Sequence, residues 1–168
     1  MDCVASLAMT TVNEFAGGSP MLKFPPPVWA LLYVVIATAI SGVLGWPEFP
    51  GLPIAPLGIA LIVVGFVSPI WALVMFRRAD TEIEPTSPTN RALVTDGPYR
   101  FTRNPMYLGI VTITLGIAVW IGAWPMLVVP FAVFATANWV HIPFEEAKMR
   151  RQFGAAYDDY VERVRRWV

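Results

Sequence analysis

Three uncharged stretches separated by polar breaks organise this chain. Residues 28–46 and residues 54–76 each have about the length that spans a bilayer core. From residue 104 to residue 140 no charged side chain appears, which at about 1.5 Å per residue is too long for one perpendicular span. Gly122-Ala123-Trp124-Pro125 falls in the middle of that run and reads as a tight turn. The pattern therefore predicts two short helices, roughly 106–121 and 125–140, joined at the far membrane face. Beyond Pro143, the residues Met149, Phe153, Tyr160 and Val164 recur near helical spacing. They predict a C-terminal helix over 143–166, amphipathic, lying on the membrane and bent at Gly154. The expected fold is an all-α integral membrane protein of about four transmembrane helices with an interfacial C-terminal helix.

Composition agrees with the pattern: 56% of the 168 residues are hydrophobic and 14% charged. An N-terminal segment, 1–27, precedes a single membrane domain over 28–168. Gly17-Gly18-Ser19-Pro20 reads as a loop, and no basic n-region points to a cleaved signal peptide. Twelve basic and twelve acidic residues balance, so nothing argues for nucleic acid. The lone Cys3 permits no internal disulfide, and one histidine with one cysteine offers no metal-ligand cluster. Gly58 and Gly65, seven apart, share a helix face on which another helix could approach closely.

The basic residues set the orientation. All twelve, from Lys23 through Arg77, Arg78 and Arg103 to Arg166, fall on one side of a four-span arrangement. The loops around Glu48 and Gly122 contain none. By the positive-inside rule both termini and the long loop over 77–105 are cytoplasmic, which in a bacterium means the inner membrane. No charge lies within the four spans, which speaks against an ion or proton pathway.

Candidate chemistry concentrates where the long loop meets the third span, in Gly97-Pro-Tyr-Arg-Phe-Thr-Arg-Asn-Pro-Met-Tyr-Leu-Gly109. Asn104 followed by Pro105 is a helix-start signal, with Asn104 expected to cap the first free N–H groups. An open helix N-terminus with Arg100 and Arg103 beside it is an anion site at a water–apolar boundary. The plainer alternative is that these arginines anchor an apolar helix in the membrane. A hairpin of two spans would return the chain to the same face, bringing Arg103 near Glu145 and Glu146. Those two acids also have a plainer account, as first-turn residues after Pro143 that suit the helix dipole. His141, near the same mouth, reads as a helix-end residue, and the acidic segment 80–84 as a solvated loop.

Together with Glu145-Glu146, Phe153-Gly154-Ala-Ala-Tyr157-Asp-Asp-Tyr160 and Val164-Arg-Arg-Trp167, the arginine motif resembles the isoprenylcysteine carboxyl methyltransferase and phospholipid methyltransferase superfamily. The resemblance covers roughly residues 77–168. It implies a helical membrane enzyme that binds S-adenosylmethionine at its cytoplasmic face. The implied cofactor residues are Arg103, Asn104, Pro105, Tyr107, Gly109, Glu145 and Glu146, and Tyr99 and Arg100 of the same motif complete the candidate set. Arg103 and Glu146 are the candidates for the catalytic role. An arginine beside a helix start suits the cofactor's carboxylate, and a glutamate suits its ammonium. Methyl transfer needs positioning and the exclusion of water, and it requires no metal.

Two departures bear on the acceptor. Many relatives have His where this chain has Asn104, and Asn cannot act as a general base. Four spans are also fewer than the isoprenylcysteine enzymes usually have, so the acceptor-binding half is the part the resemblance covers least. The expected acceptor is lipid-like or apolar, with a carboxyl, amine or thiol to methylate. The alternatives are a sterol-reductase-like enzyme using NADPH and a non-catalytic membrane scaffold. The first lacks a basic cluster for a 2′-phosphate beyond Arg100 and Arg103; the second does not explain why both halves of the proposed site are kept.

Overall fold

The computed structural model describes residues 24–80 and 91–168. Cys3, the Gly17–Pro20 loop, Lys23 and most of the acidic 80–84 segment therefore lie outside the described residues. Helix α1 (Pro26–Val43) starts on prolines, whose missing N–H groups would have had no helical partner there. Helix α2 (Ala55–Arg78) ends on Arg77 and Arg78, whose charge suits a helix C-terminus. A 3-10 turn (Gly97–Arg100) leads into α3 (Pro105–Ile121), which stops at Gly122 with φ 76°, a left-handed cap that glycine adopts freely. A second 3-10 turn (Trp124–Leu127) opens α4 (Val128–Thr136), followed by a π turn (Ala137–His141) and α5 (Ile142–Phe153). The last helix is α6 (Ala155–Arg163), after which 164–168 run on without helical structure.

The described residues are helical, with no strand among them beyond one isolated bridge between Glu48 and Ala123. Among the described residues, three helices are long and apolar enough to cross a membrane: Pro26–Val43, Ala55–Arg78 and Trp124–Phe153. Helix α3 is apolar throughout but shorter, at 17 residues.

One boundary departs from expectation. No new helix starts at Pro143; a single 30-residue helix runs from Trp124 to Phe153. The reason lies in the π turn. Proline lacks an N–H and crowds the carbonyl four residues back, and the wider π geometry just ahead of Pro143 makes room. Glu145 and Glu146 thus sit well inside a continuous helix, and an open helix start does not account for them. The C-terminal helix is also shorter than the expected 143–166. Gly154, at φ 53°, separates α5 from α6, and helical structure ends at Arg163. Its apolar stripe turns toward the protein: Met149, Phe153 and Val164 pack against a cluster of Ala72, Tyr99, Tyr157 and Tyr160.

Helix α3 lies against α2 along a seam of glycines. A Cβ on Gly58 would stand 2.8 Å from the Gly116 carbonyl oxygen, and one on Gly65 would stand 3.0 Å from that of Gly109. The seven-residue spacing thus serves close backbone approach, as expected from the sequence. Pro69 sharpens the fit. It has no N–H for the Gly65 carbonyl, and Gly109 lies against both that oxygen and the proline ring. Ser68 adds a bond from its hydroxyl to the Pro105 carbonyl at 2.8 Å. Helix α1 leans instead on α4 and the second 3-10 turn, burying Ala30, Ala37, Met126, Val129 and Val133. At the end of the bundle away from the basic residues, backbone bonds join the two turns: Phe49 N–H to Gly122 O at 2.8 Å and Trp124 N–H to Pro47 O at 3.1 Å.

Candidate functional site

Because α2 pairs with α3 while α1 pairs with α4, a cavity of about 690 Å³ remains beside the first turns of α3. Such a volume suits a small-molecule ligand, for which sites of about 300–1,000 Å³ are usual. Its wall is mostly apolar, with Leu31 and Val34 from α1, Phe66 and Pro69 from α2, and Ile110, Ile113 and Ile117 from α3. Polar groups gather at one end: Arg103, Asn104, Glu145, Glu146, Lys148 and four tyrosines.

Of the residues the sequence singles out, Tyr99, Arg103, Asn104, Pro105, Tyr107, Glu145 and Glu146 line this one cavity. Arg100 does not; it is exposed on the outer side of the 3-10 turn. Gly109 is likewise absent from the lining and belongs to the α2–α3 seam. Asn104 stands at the start of α3 but makes no capping bond with its side chain. Its amide Nδ2 donates instead to the Arg166 carbonyl at 2.9 Å. His141 is buried in the π turn, its ring 6.2 Å from that of Tyr107 and its Nε2 without a hydrogen-bond partner. It does not line the main cavity but, with Thr136, a water-sized space of about 10 Å³ that shares Pro26, Ala30 and Tyr107 with that cavity.

The two neighbouring glutamates diverge. Glu145 accepts a bond from the Tyr107 hydroxyl at 2.6 Å. Glu146 takes the Arg166 fork on both oxygens, Nε to Oε1 at 3.1 Å and Nη2 to Oε2 at 2.6 Å. Arg103 Nη1 lies 3.1 Å from the same Oε1, and both side chains of that ion pair are only 10% exposed. Even so, Arg103 Nε and Nη1 have no hydrogen-bond acceptor. Arg103 also hydrogen-bonds the Tyr157 side chain, so the guanidinium is satisfied only in part; the N–H groups left over are costly to bury, and their position beside a cavity suits an anion.

Aromatic groups close this end. The Tyr160 hydroxyl donates to the Tyr99 carbonyl at 2.7 Å, and Phe76 meets the Tyr99 ring edge-on at 5.6 Å. Burial raises the pKa of the Tyr99, Tyr157 and Tyr160 phenols above the ordinary tyrosine value. The negative charges of Glu145 and Glu146 add to this at Tyr99 and Tyr157 respectively, while the Arg103 guanidinium opposes it at Tyr157. All three stay protonated near neutrality, as donors and neutral walls. Among the described residues no three His, Cys, Asp or Glu gather where a metal ion could be held.

The sequence marks Arg166 as an orienting charge and Arg166 and Trp167 as part of the C-terminal motif, but it places neither of them, nor Asn138, at the site. Trp167 Nε1 donates to Asn138 Oδ1 at 3.0 Å, and its ring stacks on Phe134 at 4.8 Å. The Arg165-Arg166 doublet reads as membrane-side charge, and only the buried acid at Glu146 hints that a second cation is needed.

A profile of the phospholipid methyltransferase family matches residues 54–156. The match takes in α2, α3, α4, α5 and the polar end of the cavity except the chain after α5. Two curated relatives from Arabidopsis thaliana are similar to this chain. Protein-S-isoprenylcysteine O-methyltransferase A is 32% identical over 122 residues, and protein-S-isoprenylcysteine O-methyltransferase B is 30% identical over 122 residues. Each alignment covers 69% of this chain and 61% of the relative. No solved structure matches. With helices able to cross a membrane and a family match over more than half its length, this integral membrane protein belongs to the phospholipid methyltransferase family.

Proposed function

We propose that the chain transfers a methyl group from S-adenosylmethionine to a lipid-like or apolar acceptor at the cytoplasmic face of the membrane. One observation carries this reading: Arg103 holds unsatisfied donors at the polar end of an otherwise apolar cavity that Glu145 also lines. Buried guanidinium N–H groups suit the carboxylate of an amino acid, and a carboxylate such as Glu145 suits its ammonium. The amino-acid end of S-adenosylmethionine has both groups. When bound, this cofactor supplies a methyl group on a positively charged sulfur, open to in-line displacement.

The protein's part is to bind, orient and keep the site dry. Arg103 and Glu145 fix the amino-acid end, and Tyr107 holds the Glu145 carboxylate in place through its 2.6 Å bond. The neutral phenols of Tyr99, Tyr157 and Tyr160 wall off water without offering a competing anion. Positioning of this kind accounts for a large part of the barrier lowering in a displacement between two held partners. Glu146 acts through Arg103, as its ion-pair partner.

The acceptor comes from the lipid. The apolar wall of the cavity, formed by α1, α2 and α3, accommodates a hydrocarbon chain and leaves its polar head beside Arg103 and Glu145. A carboxylate, amine or thiol on that head is the nucleophile. With α3 as the third of four spans and the charged end inside, both termini lie in the cytoplasm. The NADPH alternative requires a basic pocket for a phosphate, and the exposed Arg100 stands outside the cavity.

Mass spectrometry on protein purified in mild detergent tests the reading. S-adenosylmethionine or S-adenosylhomocysteine should be released on denaturation, and added S-adenosylhomocysteine should bind with measurable heat. The absence of both release and heat would overturn the cofactor assignment. Methylation of small hydrophilic amines or thiols as readily as of lipid acceptors would overturn the lateral route.

A further inference from the structure

Two arginines meet one buried carboxylate at the polar end of the cavity. Arg166 takes both oxygens of Glu146, and Arg103 reaches only Oε1, from 3.1 Å. One arginine would have sufficed to neutralise Glu146. With two, this triad carries a net positive charge, and it is Arg103 that keeps free donors. Left alone with Glu146, Arg103 would satisfy itself in a bidentate fork, the preferred geometry of an arginine–carboxylate pair.

The segment that delivers Arg166 is anchored for this purpose at several points. The Arg165 carbonyl accepts the Arg103 N–H at 3.0 Å. The Arg166 carbonyl accepts Thr102 Oγ1 at 3.1 Å and Asn104 Nδ2 at 2.9 Å. Trp167 fastens the far side to Asn138 in the π turn. The chain after α6 therefore crosses from the α3 motif to the long C-terminal helix, a strap over the polar end.

We infer that Arg166 is a positioning residue that saturates Glu146 and so keeps Arg103 free for the carboxylate of the ligand. The inference rests on the cofactor reading above and adds a residue to it. Removing Arg166 lets Arg103 collapse onto Glu146, and the site then loses its grip on the amino-acid end alone.

The test compares two probes on the full chain in detergent. S-adenosylhomocysteine has the amino-acid end; 5′-methylthioadenosine lacks it. In R166Q the affinity for S-adenosylhomocysteine should fall about ten- to a hundredfold, the range for a charge-assisted bond. Affinity for 5′-methylthioadenosine should change less than threefold. The double variant E146Q/R166Q, in which the Glu146 carboxylate no longer competes for Arg103, should recover S-adenosylhomocysteine binding to within about threefold of the native protein. An unchanged S-adenosylhomocysteine affinity in R166Q overturns the inference, and so does an equal loss for both probes, which would mean a merely structural strap. If R166Q fails to fold, the double variant decides: binding ten times weaker than native overturns the inference, and recovered binding upholds it. A native protein that holds both probes equally would instead overturn the assignment of Arg103 to the carboxylate.

Discussion

The α2–α3 seam and the polar end of the cavity lie next to each other and are held together by opposite means. Along the seam, glycine meets backbone: Gly58 faces Gly116, Gly65 faces Gly109, and no side-chain charge is involved. At the polar end, Arg103 and Arg166 meet the buried Glu146, and two nitrogens of the Arg103 guanidinium lack a hydrogen bond. A seam of this kind stabilises through dispersion and close approach. The polar end gives up stability to keep donors available, as sites that bind ligands commonly do. Damage to the first should cost the fold, and damage to the second should cost the ligand.

The largest effect is expected at Gly109. A Cβ there would collide with the Pro69 ring and come within 2.6 Å of the Gly65 carbonyl oxygen, both on a backbone that cannot step aside. Gly109→Ala should destabilise the protein by about 1–3 kcal/mol, the usual cost of overpacking, and Gly109→Val by more. Gly42→Ala, with nothing within 4 Å of the new methyl, is the control. Thermal unfolding in detergent reads the difference. Equal melting of the Gly109 and Gly42 variants would show that the seam is not a tight contact.

Arg103→Ala breaks the comparison from the other side. Glu146 keeps its bidentate Arg166, so no buried carboxylate is stranded and the fold should survive. S-adenosylhomocysteine affinity should nonetheless fall about ten- to a hundredfold, corresponding to about 1.5–3 kcal/mol. Calorimetric titration beside a melting curve separates the two quantities. A variant that melts early and binds normally would reverse the roles assigned to the two regions.

Much of this was legible in the sequence, and the parts that were not share a cause. Uncharged length located α1, α2 and the hairpin, and the spacing of Gly58 and Gly65 pointed to the seam, because both signals are periodic along a single helix. The nearness of Arg103 to the two glutamates followed from folding the apolar run into a hairpin. Continuity of the helix through Pro143 was hidden, since a proline ordinarily marks a boundary and only the π turn removes the clash. Asn104 looked like a cap and is a clamp on the Arg166 carbonyl, because a contact across 62 positions has no local signature. Arg166 itself was hidden for the same reason. It stands in an irregular segment where no period says which way a side chain points, and its charge was already explained by the membrane.

Glu145→Gln is expected to act next. The amide keeps the shape and still accepts from Tyr107, but it no longer offers a charge to an ammonium. A loss of about tenfold in S-adenosylhomocysteine affinity with an unchanged melting temperature is the expected result. No loss would assign the ammonium to another group.

The smallest effect tests the joint between the two regions. Trp167→Phe removes the indole N–H that reaches Asn138 and keeps an aromatic ring for Phe134 to stack on. A single neutral hydrogen bond is worth about 1 kcal/mol net, and Asn138 Oδ1 retains Arg166 Nη1 at 3.5 Å as a second neighbour. The strap should therefore loosen without letting go. Its carbonyls still bind Arg103, Thr102 and Asn104, so Arg166 stays on Glu146 and Arg103 stays free. Stability should drop by about 1 kcal/mol, and S-adenosylhomocysteine affinity by less than threefold. A tenfold loss of affinity from this change would mean that the Trp167–Asn138 bond, more than the bonds near Arg103, sets the position of Arg166.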